Sequence, residues 1–168
     1  MDPTRWLLEH EHLLPRSGDA VDIGCGRARN AFWLASRGLR TVALDRDRDA
    51  VEFVREEAGR QGLPIRAAAV DLEAEPNPLS EDSYDVVLVV HYLHRPLFPA
   101  LKAAVRPGGV LVYETFTRGQ EERGHPTNPA FPLEPGELRE LVHPLEIVVE
   151  REGDFGGKLL ASVIARRL

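Results

Sequence analysis

The stretch from Asp19 to Asn30 constrains this chain more than any other. It joins a short apolar run, Ala20 to Ile23 with a carboxylate at Asp22, to a helix-like run from Ala28 to Arg37 by way of Gly24-Cys25-Gly26. Strand, tight turn and helix in that order leave a ligand-sized gap at the turn. Glycines at 24 and 26 suit it, because glycine tolerates positive φ and lets a ligand approach the backbone with no Cβ in the way.

The next small position separates ligand classes. A dinucleotide fingerprint needs glycine at its first, third and sixth places, so that a pyrophosphate can rest on the helix N-terminus. Here the sixth place is Arg29, which disfavours a nicotinamide-dependent oxidoreductase. What stands instead is Asp22-x-Gly24-x-Gly26-x-Ala28. An anion beside Asp22 would be repelled, whereas an amine would make a charge-assisted hydrogen bond. A ligand with an amino group and no phosphate describes S-adenosylmethionine. The stretch resembles the first motif of class I S-adenosylmethionine-dependent methyltransferases.

The rest of the chain supplies a matching frame. Thr41 to Leu44 reads as a second strand ending at Asp45, 21 residues beyond Gly24. An acid at that place can accept hydrogen bonds from both ribose hydroxyls. Arg46 follows it and is counted with the cofactor residues. A helix from Asp47 to Arg60 leads to a third strand, Ile65 to Val70, which arrives at Asp71-Leu72. Asp71 is placed to take an adenine amino group while Leu72 covers the ring. Glu73 to Ser83, with two prolines and four acids, shows no crossover helix. Tyr84 to Val90 is a continuous apolar run of the kind a doubly covered parallel strand needs. It delivers His91 and Tyr92 to the crevice beside the first strand.

Leu97 to Val105 reads as a helix, and Arg106-Pro107-Gly108-Gly109 turns into a fifth strand, Val110 to Tyr113, followed by Glu114, Thr115 and Phe116. Thr117 to Pro135 is a long polar loop, of the length that usually belongs to a lid or a binding loop. Gly136 to Val142 reads as a short helix. Leu145 to Glu150 and Leu159 to Ala165 read as a closing hairpin, which makes the last strand antiparallel. The fold expected is α/β: one doubly wound, Rossmann-like domain over residues 19–168 with a seven-stranded, mostly parallel sheet. Residues 1–18 form a helical lead-in, with one helix spanning Pro3 to Leu14.

Composition narrows the partners. The chain has 168 residues, one cysteine and a net charge of −6. That charge argues against a protein that tracks a phosphate backbone. A single cysteine excludes an intrachain disulfide framework and a thiolate zinc cluster, and no other metal constellation is visible. No apolar run nears the ~20 residues that span a bilayer, and no basic-then-apolar signal pattern opens the sequence. A soluble, cytoplasmic protein is the expectation, with its oligomeric state undetermined. His10 and His12 lie two apart, so a helix would put them on different faces.

Gly24-Cys25-Gly26, Arg29-Asn30-Ala31, Leu34-Ala35, Gly38, Pro135 to Arg139 and Ala161 to Arg166 resemble the TehB-type, tellurite-resistance methyltransferases. The resemblance implies cofactor roles for Asp22, Gly24, Gly26, Asp45, Asp71 and Leu72, and Cys25, Arg46 and His91, beside them at the strand ends, are counted as further cofactor contacts. It implies a small-molecule acceptor such as a chalcogen oxyanion or a thiol. Arg29, Tyr92, Phe116 and Asn128 are the candidate substrate contacts. An acceptor that needs deprotonation would draw on His91 or Glu114. Cys25, within this turn, reads as a small residue rather than a nucleophile. The alternatives are a nucleic-acid or protein methyltransferase, or a cofactor-binding module without turnover.

Overall fold

The computed structural model describes residues 2–168. The elements run α1 (Arg5–Glu9), β1 (Asp19–Ile23), α2 (Arg29–Ser36), β2 (Arg40–Asp45), α3 (Arg48–Gln61), β3 (Ile65–Ala69), β4 (Tyr84–Val90), α4 (Phe98–Ala104), β5 (Val105–Phe116), α5 (Glu137–Val142), β6 (Glu146–Phe155) and β7 (Lys158–Arg166). The strands form one sheet in the order β3-β2-β1-β4-β5-β7-β6. β3 through β5 are parallel, while β7 pairs antiparallel with both β5 and β6.

Strand alternation sends successive side chains to opposite faces and so builds two cores. Val21, Ile23, Val87 and Val89 pack with Leu101 of α4 and with Leu138 and Val142 of α5. On the opposite face, Ala20, Val86 and Leu88 pack with Trp6, Leu7 and Leu34. Towards β3 the contacts on that face become small: Ala43 and Ala67 meet Ala31 of α2 and Val51 and Val54 of α3. α3 starts at Asp47, whose carboxylate caps the amides of Asp49 and Ala50, and stops at Gly62 in the left-handed conformation.

Several boundaries differ from the sequence reading, most by a residue or two and four more substantially. The helix expected over 3–14 is broken at His10 into α1 and a 3₁₀ turn, Glu11–Leu13. The helix expected from Leu97 opens with another 3₁₀ turn, Arg95–Leu97, before α4. β5 begins at Val105, because Val105 already pairs with Tyr84 before Pro107-Gly108-Gly109 shifts the register. β6 extends to Phe155, zipped to β7 by pairing that continues through Phe155 and Lys158. As expected, no helix joins β3 to β4; Leu72 is buried there and Leu79 packs on the core.

The strand order reverses between β1 and β4: the chain winds outward through β2 and β3, then returns to the other side. Their carboxyl ends open there into a crevice, the usual ligand position in such sheets.

Candidate active site

Four left-handed backbone positions shape the turn after β1 and the end of β4: Gly24 (φ +66), Gly26 (φ +55), Ala28 (φ +62) and His91 (φ +58), of which Gly24 and His91 line the crevice. A Cβ on Gly24 would stand 2.9 Å from Cβ and Cγ of Tyr92, whereas one on Gly26 would meet nothing within 4 Å. Gly24 is therefore required by close packing, and Gly26 leaves open backbone for a ligand. The turn is stitched to β2 from both sides. The Cys25 amide donates to the Leu44 carbonyl at 3.0 Å, and the Gly26 amide donates to Asp45 Oδ2 at 2.8 Å. Asp45 Oδ1 accepts from the Asp47 amide at 2.9 Å. Each oxygen keeps a lone pair for a further donor.

A cavity of about 340 Å³ opens from this turn. Gly24, Asp45 and Arg46 form one side, Asp71, Leu72 and Glu73 the second, and His91, Tyr92, Leu93 and Phe131 the third. Asp71 Oδ1 accepts the Glu73 amide at 3.0 Å, a local turn that fixes the carboxylate. Tyr92 is pinned from behind, where its carbonyl accepts the Tyr113 hydroxyl at 2.6 Å. Burial, followed by the nearby Glu73 and Asp71, pushes the Tyr92 phenol up to about 12, so it remains protonated.

A second cavity, about 590 Å³, lies on the far side of His91 and is lined also by Thr4, Arg29, Glu114, Arg151, Phe155 and Lys158. Among the described residues, His91 is the one that lines both. Its amide donates to the Glu114 carbonyl at 2.8 Å, which prolongs the β4–β5 ladder by one bond. Its ring stacks on Phe116 with centroids 4.6 Å apart. Burial lowers its pKa, Glu114 works in the opposite direction, and Lys158 and Arg29 lower it further. The imidazole is thus neutral at neutral pH. Neither Arg29 nor Lys158 has an ion-pair partner among the described residues.

Asp22 is 2 % exposed and lines neither cavity. One of its carboxylate oxygens is buried with no hydrogen-bond partner. Burial pushes its pKa up to about 7; the Ala31 amide lowers it, Asp45 raises it and Arg29 lowers it. Cys25 also lines neither cavity, and burial raises its thiol pKa, which removes thiolate character at neutral pH. Phe116 supports His91 from behind rather than lining a cavity. Asn128 sits apart: it is exposed, and its side chain caps the Ala130 amide at 3.0 Å. The 117–135 loop reaches the crevice through Phe131 instead, anchored by fully buried Leu133.

A family model described as a methyltransferase domain matches residues 20–109, more than half of the chain and every residue lining the first cavity except Phe131. The chain belongs to the methyltransferase domain family. Its fold is the class I, TehB-like one: the crystal structure of TehB from Haemophilus influenzae superposes with a TM-score of 0.84 at 18% identity, over 99% of this chain and 63% of that one. By sequence, Hemagglutinin 1 of Eikenella corrodens is 30% identical over 79% of this chain and 45% of its own length. A protein described as a probable S-adenosyl-L-methionine-dependent methyltransferase TehB, from H. influenzae, is 26% identical over 48% of this chain and 28% of its own. The methyltransferase domain described here thus spans less than half the length of these curated relatives.

The residues present fit the family's cofactor, S-adenosylmethionine. Gly26 offers uncovered backbone, Asp45 and Asp71 offer free acceptor capacity at two strand ends, and Asp22 supplies a buried, unpartnered carboxylate oxygen. Among the described residues no helix is long and apolar enough to cross a membrane.

Proposed function

We propose that this chain transfers a methyl group from S-adenosylmethionine to a small-molecule acceptor with an anionic or soft nucleophile, such as a thiolate or a chalcogen oxyanion. The observation that carries this reading is His91 as the shared wall of two cavities. One cavity has acids at two strand ends, where a nucleoside offers hydroxyls and an amino group; the other is faced by Arg29 and Lys158.

In this reading Asp45 accepts the ribose hydroxyls, Asp71 accepts the adenine amino group, and Leu72 with Phe131 covers the ring. Arg29, at the first turn of α2, attracts a carboxylate, and the buried charge of Asp22 favours an ammonium. The bound cofactor supplies a methyl already activated by its positive sulfur. The protein then has to align the nucleophile in line with that methyl and exclude water. Arg29 and Lys158 favour an acceptor that arrives deprotonated, and His91, neutral and held by Phe116, offers it a ring nitrogen as a hydrogen-bonding partner. Such an acceptor needs no strong protein base.

Titration calorimetry with S-adenosylmethionine tests the cofactor half. Asp45→Ala is expected to weaken binding at least tenfold, through loss of both the ribose acceptor and the brace on Gly26. An unchanged affinity overturns the assignment of Asp45. Production of S-adenosylhomocysteine with a panel of small thiols, selenite and tellurite tests the transfer half, and no turnover with any of them counts against this acceptor class.

A further inference from the structure

A buried polar cluster roofs the second cavity, and the methyl-transfer reading leaves it unused. The Thr4 amide donates to Asn30 Oδ1 at 2.8 Å. The Thr4 hydroxyl donates to Glu114 Oε1 at 2.8 Å, and the Ser162 hydroxyl donates to Glu114 Oε2 at 2.6 Å. Arg151 closes the outer side, with Nη2 3.6 Å from Glu114 and Nη1 3.3 Å from Glu9. Its guanidinium lies 4.8 Å over the Trp6 ring and 4.0 Å over the Phe155 ring. Thr4, Asn30, Glu114 and Ser162 are each no more than 5 % exposed.

Two features separate this cluster from ordinary scaffolding. First, Asp2, Pro3, Thr4 and Arg5 themselves line the second cavity, so the segment that Thr4 fastens is part of its wall. Immediately behind it, Trp6 and Leu7 are buried at 1% and 0% and cannot move without opening the core. Thr4 is therefore the point where a short flap joins a fixed anchor. Second, Asn30 stands in the first turn of α2, four residues past Gly26, so the flap is fastened to the element that opens the cofactor turn.

We infer that Glu114 is a positioning residue, the latch that holds segment 2–5 as a roof over the transfer cavity, with Thr4 as its catch. Both oxygens of this carboxylate already accept buried hydroxyls, and a guanidinium stands alongside, so its hydrogen bonds are committed to holding the roof. Closing the roof keeps water from the cavity, and releasing Thr4 opens a route for acceptor and product. This inference rests on the proposed transfer reaction for its purpose, but the latch itself can be tested without turnover.

The experiment uses the whole chain and four proteins: wild type, Thr4→Val, Thr4→Ser and Glu114→Gln. Hydrogen exchange over residues 2–9 is expected to rise at least tenfold in Thr4→Val and to return to wild-type levels in Thr4→Ser. Where an acceptor is found, Thr4→Val is expected to raise its KM about tenfold while the shape of the kcat pH profile stays as in wild type. Glu114→Gln still offers Thr4 an acceptor, so it is expected to lower kcat less than tenfold and to keep that profile. Exchange in Thr4→Val equal to wild type overturns the latch. So does a thousandfold loss of kcat in Glu114→Gln with loss of the acidic limb of the profile, which makes Glu114 a base. If no acceptor turns over, the transfer reading fails while the exchange data still decide the latch.

Discussion

A methyl group added at Gly24 meets two obstacles at once, a φ of +66° and Tyr92 carbon atoms 2.9 Å away. Gly24→Ala is expected to cost roughly 2–4 kcal/mol, left-handed strain plus overpacking, read as a lower melting temperature. Gly26→Ala carries only the backbone strain, roughly 1–2 kcal/mol, but puts its methyl in the ligand's path. It is expected to lose cofactor binding with a smaller change in melting temperature. Asp22 gives a pH signature. In the folded chain its carboxyl keeps a proton up to about 7, against an ordinary 3.8. Folding takes up a proton between those values, so stability falls as pH rises through the window and the penalty is complete above 7. Asp22→Asn is expected to melt above wild type at pH 8 and level with it at pH 4. Cofactor affinity should rise in wild type from pH 6 to 8, as the buried Asp22 ionises and its charge favours an ammonium nearby, and stay flat in the variant. A flat wild-type profile in calorimetry contradicts the role of Asp22.

Among the elements, the 117–135 loop closes back on itself where Thr117 bridges to Leu133, and it reaches the first cavity through Phe131. Arg95 fixes the loop from beneath, donating to the carbonyls of Ala130 and Pro132 and pairing with Glu137. Phe131→Ala is expected to weaken cofactor binding several-fold with little loss of stability, since its ring is only half-buried. Leu133→Ala, at a fully buried position, is expected to cost about 2–5 kcal/mol. The strand ends bearing Asp45, Asp71 and His91 were legible because each follows an apolar run that sets its own boundary. The roof was not legible: Thr4 meets Glu114 across 110 residues and Ser162 meets it across 48, and no periodicity in the chain announces either pairing. Nor does local pattern reveal that β7 inserts between β5 and β6.

Across the whole molecule, the parallel half of the sheet places Asp45, Asp71 and His91 on one crevice with Asp22 buried behind the turn, and the antiparallel half brings Lys158 and Arg151 to its far side. Asp45, Asp71 and His91 fall within the part of the chain that matches the family model, residues 20–109, whereas Phe131 of the first cavity and Glu114, Arg151 and Lys158 of the second lie beyond it. Apart from Arg29 and His91, the second cavity is built from the part of the chain that the family model leaves unmatched. The most direct test of the account is a crystal structure of this chain soaked with S-adenosylhomocysteine. The expected result is adenine between Leu72 and Phe131, ribose on Asp45 and the sulfur beside His91, facing the cavity that Arg29 and Lys158 line. The nucleoside bound elsewhere, or a crevice still closed by Tyr92 at saturating concentration, would contradict it.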